Sequence, residues 1–171
     1  MPKMPWTPGP FREDTDLHVL TSKLPLSRYR DVPRFLRWSL KIRRQLLSDP
    51  SCAGFTLDAR LAGKTFWTLS AWKDQDAVMQ FVRSGEHAAM LRDMAGRVGG
   101  SIFAESVTAS SDLPLDWAAA RQRLADQLGA HYPSHRGPAE RGPQPCWQRQ
   151  THSLIDTAGR RSSRPATSVG D

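Results

Sequence analysis

The chain has 171 residues, 39% of them hydrophobic, and a formal net charge of +7. That length suits one domain with extensions, and a hydrophobic content below the roughly 45–50% of globular chains describes an ordinary core diluted by a polar segment. No run of about 20 apolar residues is present, so no membrane-spanning helix is expected, and Cys52 and Cys146 stand far apart, in neither a metal-ligand spacing nor a disulfide framework.

The N-terminal MPKMPWTPGP lacks an apolar h-region, so no signal peptide and a cytoplasmic location are expected. Residues 1–15 read as a flexible arm, ordered at best, because residues up to Asp14 hold four prolines and a glycine. A folded domain is expected over residues 16–110. Leu17–Leu26 reads as its first strand, with Pro25 near the end, where a missing N–H does least harm. Asp31 can cap a helix that has Pro33 in its first turn and runs to about Ser48. Val32, Phe35, Leu36, Leu40, Ile42, Leu46 and Leu47 recur along it at helical spacing. Its other surface carries Arg30, Arg34, Arg37, Lys41 and Arg44.

Ala53–Leu61 alternates as a second strand, Ala62-Gly63 makes a short turn, and Lys64–Lys73 is a third strand rich in aromatic and β-branched residues. Asp74 caps a second helix that breaks at Ser84-Gly85, resumes to about Val98 and ends at Gly99-Gly100. Ile102–Ala109 is the fourth strand. The order β-α-β-β-α-β is the split ferredoxin-like motif of an α+β domain. An extra helix is expected within 111–128, with Asp116, Trp117, Arg121 and Leu124 at helical spacing, followed by a disordered, Arg- and Pro-rich tail over 129–171.

A two-residue turn would pair Ala59 with Phe66, Leu57 with Thr68 and Phe55 with Ser70, placing these residues and Trp72 on one face. That apolar face belongs under the two helices. The other face holds Thr56, Asp58, Arg60, Thr65, Trp67, Leu69 and Ala71. A face that bears an indole and apolar neighbours needs a cover, and a second copy of the sheet would supply one.

From Phe66 to Leu91 the sequence FWTLSAWKDQDAVMQFVRSGEHAAML resembles the dimeric α+β barrel superfamily, among proteins related to the antibiotic-biosynthesis monooxygenases. It is most similar to an uncharacterised bacterial branch, distantly similar to spheroidene monooxygenase. The pattern is a strand ending in Trp72, a helix with Phe81, then a small-residue break and a histidine, Gly85-Glu86-His87. The resemblance implies a homodimer in which two sheets enclose a cavity for a hydrophobic or aromatic small molecule, worked on without a tightly bound cofactor. It argues against haem. The haem-degrading branch uses a strand Asn, a helical Trp and a later His, whereas Phe81 stands at the Trp position, Leu91 at the His position, and the chain has no Asn.

His87 is a candidate acid, base or ligand, although capping the kinked helix or packing on Trp72 is the preferred reading. Asp58, Arg60 and Trp67, with Leu69, could line one cavity, the guanidinium giving fixed donors and the indole a stacking surface. A rim salt bridge with interface packing is the alternative. Trp72 and Phe81 complete the candidate substrate set. His18, with Ser22 at the same parity, can point either way, because the register of the first strand is open. The basic helix face lacks a nucleic-acid motif and reads as solvated. His131, His135 and His152 show no metal-like spacing, and no phosphate loop or hydrolase motif occurs. Three functions compete: an oxygenase-like enzyme, a non-catalytic ligand-binding barrel dimer, and a basic nucleic-acid-associated protein, the last the least expected.

Overall fold

Ten residues of alternating character, Asp16–Pro25, form the longest strand, β2, near the centre of the sheet. The computed structural model describes residues 4–131, with side chains placed through 126. Cys146, His135, His152 and nearly all of the expected disordered tail lie outside that range. Around β2 stand a short β1 (Thr7–Pro8), β3 (Cys52–Arg60), β4 (Thr65–Trp72) and β5 (Ile102–Ala109), in the all-antiparallel order β1-β3-β4-β2-β5. Helix α1 (Val32–Ser48) connects β2 to β3, and helices α2 (Gln75–Arg83) and α3 (Gly85–Asp93) connect β4 to β5. This is the expected ferredoxin-like α+β domain, followed by α4 (Trp117–His131).

The hairpin register is the expected one: Ala59 pairs with Phe66, Leu57 with Thr68 and Phe55 with Ser70. The turn differs. Leu61–Gly63 form a single 3-10 turn, and Lys64 closes it in the left-handed region at φ 50°. The larger loop keeps the register because its last bonded pair is still Arg60 with Thr65.

One face lies under α1, α2 and α3, where the apolar side chains form two adjoining clusters. Leu46, Cys52, Phe55, Trp72, Val78 and Phe81 make one, and Leu26, Phe35, Phe66, Met90 and Met94 the other. The Phe35 and Phe66 rings sit 4.3 Å apart. Two leucines of the expected stripe on α1 are not in it: Leu40 and Leu47 face solvent, 64% and 40% exposed. The basic side is solvated as expected, with Arg34 paired to Asp93 and Lys41 to Glu86.

Asp74 caps α2 by accepting from the Ala77 N–H at 2.8 Å. Asp31 stands at the start of α1 but does not cap it. Its buried carboxylate accepts from Arg97 Nη1 at 2.8 Å instead, since a buried charge needs a charged partner more than a helix end needs a cap. The expected break falls at Ser84-Gly85, with Gly85 at φ +52°. The helix after it ends at Asp93, five residues short of Val98, in turns that include Gly96 at φ +73°. Helix α4 runs to His131, past the expected end at residue 128, and Asp116 caps it, accepting from Ala118 and Ala119 N–H at 2.8 and 3.0 Å.

The largest departure concerns the second face. From Met4 onward the N-terminal arm lies along β3: Met4 N–H donates to Leu57 C=O, Gly9 to Ala53 and Phe11 to Cys52, each at 3.0 Å. The Trp6 indole lies directly over Gly54, where an added Cβ would come within 2.5 Å of the ring. From this arm and from α4, Phe11, Trp117 and Ala120 pack on Leu17, Val19, Ala53, Leu69 and Ala71. The cover that a second copy was expected to supply over these residues comes from the chain's own arm and α4.

Candidate functional site

Along the second face, three neighbouring strands place Lys23, Trp67 and Asp58 in one row, because Lys23 pairs with Trp67 and Trp67 with Asp58. Arg121 reaches onto this row from α4, but Lys23 and Trp67 stay partly accessible. The row lines an open groove of about 760 Å³, which the 59–63 turn, Arg60 and Thr65 complete.

Asp58 is 4% exposed, and its carboxylate meets the guanidinium of Arg121, reaching down from α4. The Nε of Arg60 lies 3.8 Å from the same oxygen, but this side chain is 61% exposed and sits at the rim. The Arg121 guanidinium also lies 5.3 Å from the ring centroids of both Trp67 and Trp117. One cation therefore neutralises the buried carboxylate and stacks between two indoles. Lys23 Nζ stands 5.4 Å from the Trp67 centroid.

Of the residues expected to form the site, this groove gathers Asp58, Arg60 and Trp67. Leu69 shares their face but is 1% exposed, beneath the arm and α4, and cannot meet a ligand. Trp72 and Phe81 are corrected to core: 1% and 5% exposed, they pack ring to ring at 4.8 Å on the opposite face. Trp72 Nε1 donates to Ser70 Oγ there at 2.9 Å. His18 shares the parity of Leu20, which packs on that helix-side core, and its Nε2 lies 3.6 Å from Glu105.

His87 is on the helix side too, with its ring 5.1 Å from Phe81 and its Nδ1 3.2 Å from the Val82 carbonyl. Burial pushes its pKa down to about 4, against the raising effect of the Val82 carbonyl. The imidazole is thus neutral at pH 7, and the contact fixes the proton on Nδ1, donating to Val82. Its backbone N–H donates to Gln45 Oε1 at 3.1 Å. His87 and Asp58 lie on opposite sides of the sheet and do not form a catalytic pair.

Lys23, Arg121 and Trp117 were not among the expected site residues. The spacing of Trp117 and Arg121 identified them as neighbours on a helix, but no local pattern says where that helix lands. No group of three or more His, Cys, Asp or Glu side chains that could hold a metal occurs among the described residues.

No protein-family model and no curated protein matches the chain. Solved structures do. A candidate monooxygenase from Fusobacterium nucleatum is 10% identical at a TM-score of 0.52, over 61% of this chain and 48% of that one. One from Lactobacillus acidophilus is 12% identical at 0.49, over 58% and 47%. A candidate antibiotic biosynthesis monooxygenase from Nitrosomonas europaea is 9% identical at 0.47, over 58% and 93%. The chain spans about half the length of the first two. Identities this low show the fold alone. The chain has an α+β ferredoxin-like fold, shared with the Fusobacterium nucleatum structure.

Proposed function

We propose that this protein binds a small aromatic or otherwise hydrophobic molecule in the groove beside Trp67, on a monooxygenase-like fold and with no tightly bound cofactor. The observation that carries this reading is the half-buried indole of Trp67 in the groove floor, held from one side by Arg121 and flanked by Lys23. A rigid aromatic surface beside placed polar groups is the usual composition of a small-molecule site.

Binding is preferred to catalysis. Asp58 is committed to Arg121, and His87 is a neutral imidazole on the far side of the sheet. The oxygenase reading rests on fold likeness alone. Oxygen uptake on a panel of quinols separates the two: turnover by the parent that His87→Ala and Asp58→Asn abolish would replace binding with catalysis.

A homodimer belongs to the proposal in altered form. The strip around Trp67 that α4 and the arm leave open is the part of this face available to a second copy, which would close the groove into a cavity. Sedimentation equilibrium checks it, and a monomer at all concentrations removes the dimer while leaving the groove. A cytoplasmic location is part of the same proposal; no described helix is long and apolar enough to cross a membrane.

The direct test is titration with naphthalene and quinol compounds, followed by calorimetry. An aromatic pair contributes about 0.5–1.5 kcal/mol beyond area burial, so Trp67→Ala should weaken binding by at least about threefold. Equal binding by parent and variant would end the reading.

A further inference from the structure

The charges around Trp67 do not balance. The groove walls and floor carry Lys23 and Arg60, Arg121 lies against Trp67, and Asp58 is the one carboxylate in the lining. Arg121 already meets that carboxylate, which is 4% exposed and so is withdrawn from the open part of the groove. Arg60 lies 3.8 Å from Asp58, beyond hydrogen-bonding reach, with most of its side chain in solvent. Lys23 has no carboxylate within salt-bridge distance among the described residues. The remaining nearby cation, Lys64, is engaged elsewhere, donating to the Ser27 carbonyl at 3.2 Å beside the Tyr29 ring.

We propose that the molecule bound here is an aromatic acid: a flat ring that packs on Trp67 and carries an oxyanion that Lys23 and Arg60 receive. The inference rests on the groove reading above and adds the charge of the ligand. Three considerations converge on it. The positive excess favours an anion, most strongly in a concave site with low-dielectric walls. An ammonium and a guanidinium each donate charge-assisted hydrogen bonds to a carboxylate, sulfonate or phosphate. A cationic ligand is disfavoured, because it would enter beside two like charges, the Lys23 ammonium and the Arg121 guanidinium, which stand 5.4 and 5.3 Å from the Trp67 centroid. Lys23 suits the role of receiving group, since its ammonium on a flexible stem can swing from the indole onto the incoming oxyanion.

Three probes of one shape separate the terms: 2-naphthoate, 2-naphthamide and 2-naphthylmethylammonium, titrated calorimetrically at pH 7.5, with acetate as the anion without a ring. The acid should bind at least tenfold more tightly than the amide, the amine more weakly than the amide, and acetate not measurably. Raising salt from 50 mM to 500 mM should shrink the preference for the acid severalfold, since the receiving groups are solvent-facing. Lys23→Glu, which sets a carboxylate against Arg60 and leaves the groove neutral, should abolish the preference of acid over amine. Lys23→Gln, the milder change, should reduce the preference to within about threefold should the charge reversal fail to fold.

Acid and amide binding within twofold, an amine tighter than the acid, or acetate binding as tightly as naphthoate would each overturn the anion assignment while leaving the groove itself in place. Failure of all three naphthalene compounds to bind would bring down the groove reading, and the assignment with it.

Discussion

Arg121 shows how a single side chain ties the extra helix to the sheet. Its guanidinium meets the carboxylate of Asp58, a residue only 4% exposed. Removing Arg121 leaves only the rim guanidinium of Arg60, 3.8 Å away, to compensate the buried charge, at a cost of up to about 3–5 kcal/mol. Arg121→Ala should be destabilised on that scale in urea unfolding, and the double variant Asp58→Ala/Arg121→Ala should be more stable than Arg121→Ala alone. A double variant that is no better would show that Asp58 is not a buried anion. His87 makes the complementary case. Its pKa is about 4 in the fold, below the 6.5 of an unfolded imidazole. The unfolded chain therefore binds more protons between those values, and the stability His87 contributes is complete above pH 6.5 and lost as pH falls through about 4. Unfolding at pH 7 and pH 5 should show a larger loss for the parent than for His87→Gln. Asp93 has the same sign in a lower window: hydrogen bonding from Arg34, opposed by burial and aided by Trp38, holds it at about 2 against 3.8. Its contribution is retained down to pH 3.8 and lost toward pH 2.

At the scale of elements, local chemistry decides where segments start and stop. The break between α2 and α3 needs a residue that accepts φ +52°, and Gly85 supplies it with no Cβ to oppose the turn. An added Cβ would also stand 2.9 Å from Gln45 Oε1. Gly85→Ala should cost roughly 1–2 kcal/mol in thermal or chemical unfolding, with the loss reduced when Gln45 is shortened to Ala. The break, the Asp74 cap and the hairpin register were all legible in the sequence, because each depends on residues within a few positions of one another. Asp31 shows the limit of that logic. A capping residue at a helix start was readable, but its carboxylate is taken by Arg97, a partner 66 residues away. Leu40 and Leu47 fit the apolar period of α1 and yet face solvent, since a period of 3.6 fixes a stripe but not how much of it the neighbouring layer is wide enough to cover.

At the scale of the molecule, the N-terminal arm and α4 both pack on one face of the sheet, which gives α4 a structural role. Ending the chain after Asp112 should uncover Leu17, Val19, Leu69 and Ala71 and strip Asp58 of its cation. An apolar patch of this kind drives association, so the shortened chain should form aggregates larger than a dimer in light scattering, while the full chain at equal concentration does not. A shortened chain as soluble and as stable as the parent would show that α4 is not needed as a cover.

The sequence by itself determined the β-α-β-β-α-β order, the pairing of β3 with β4, which residues share a face, and that the Trp67 face must be covered. All of these follow from alternation, helical spacing and turn chemistry, which act over short stretches of chain. Tertiary structure alone decided that the arm and α4 cover much of that face, that Arg121 answers Asp58, and that His87 and Asp58 lie on opposite sides of the sheet. Contacts between segments far apart in the chain depend on how whole layers fit together, and no local pattern encodes that fit.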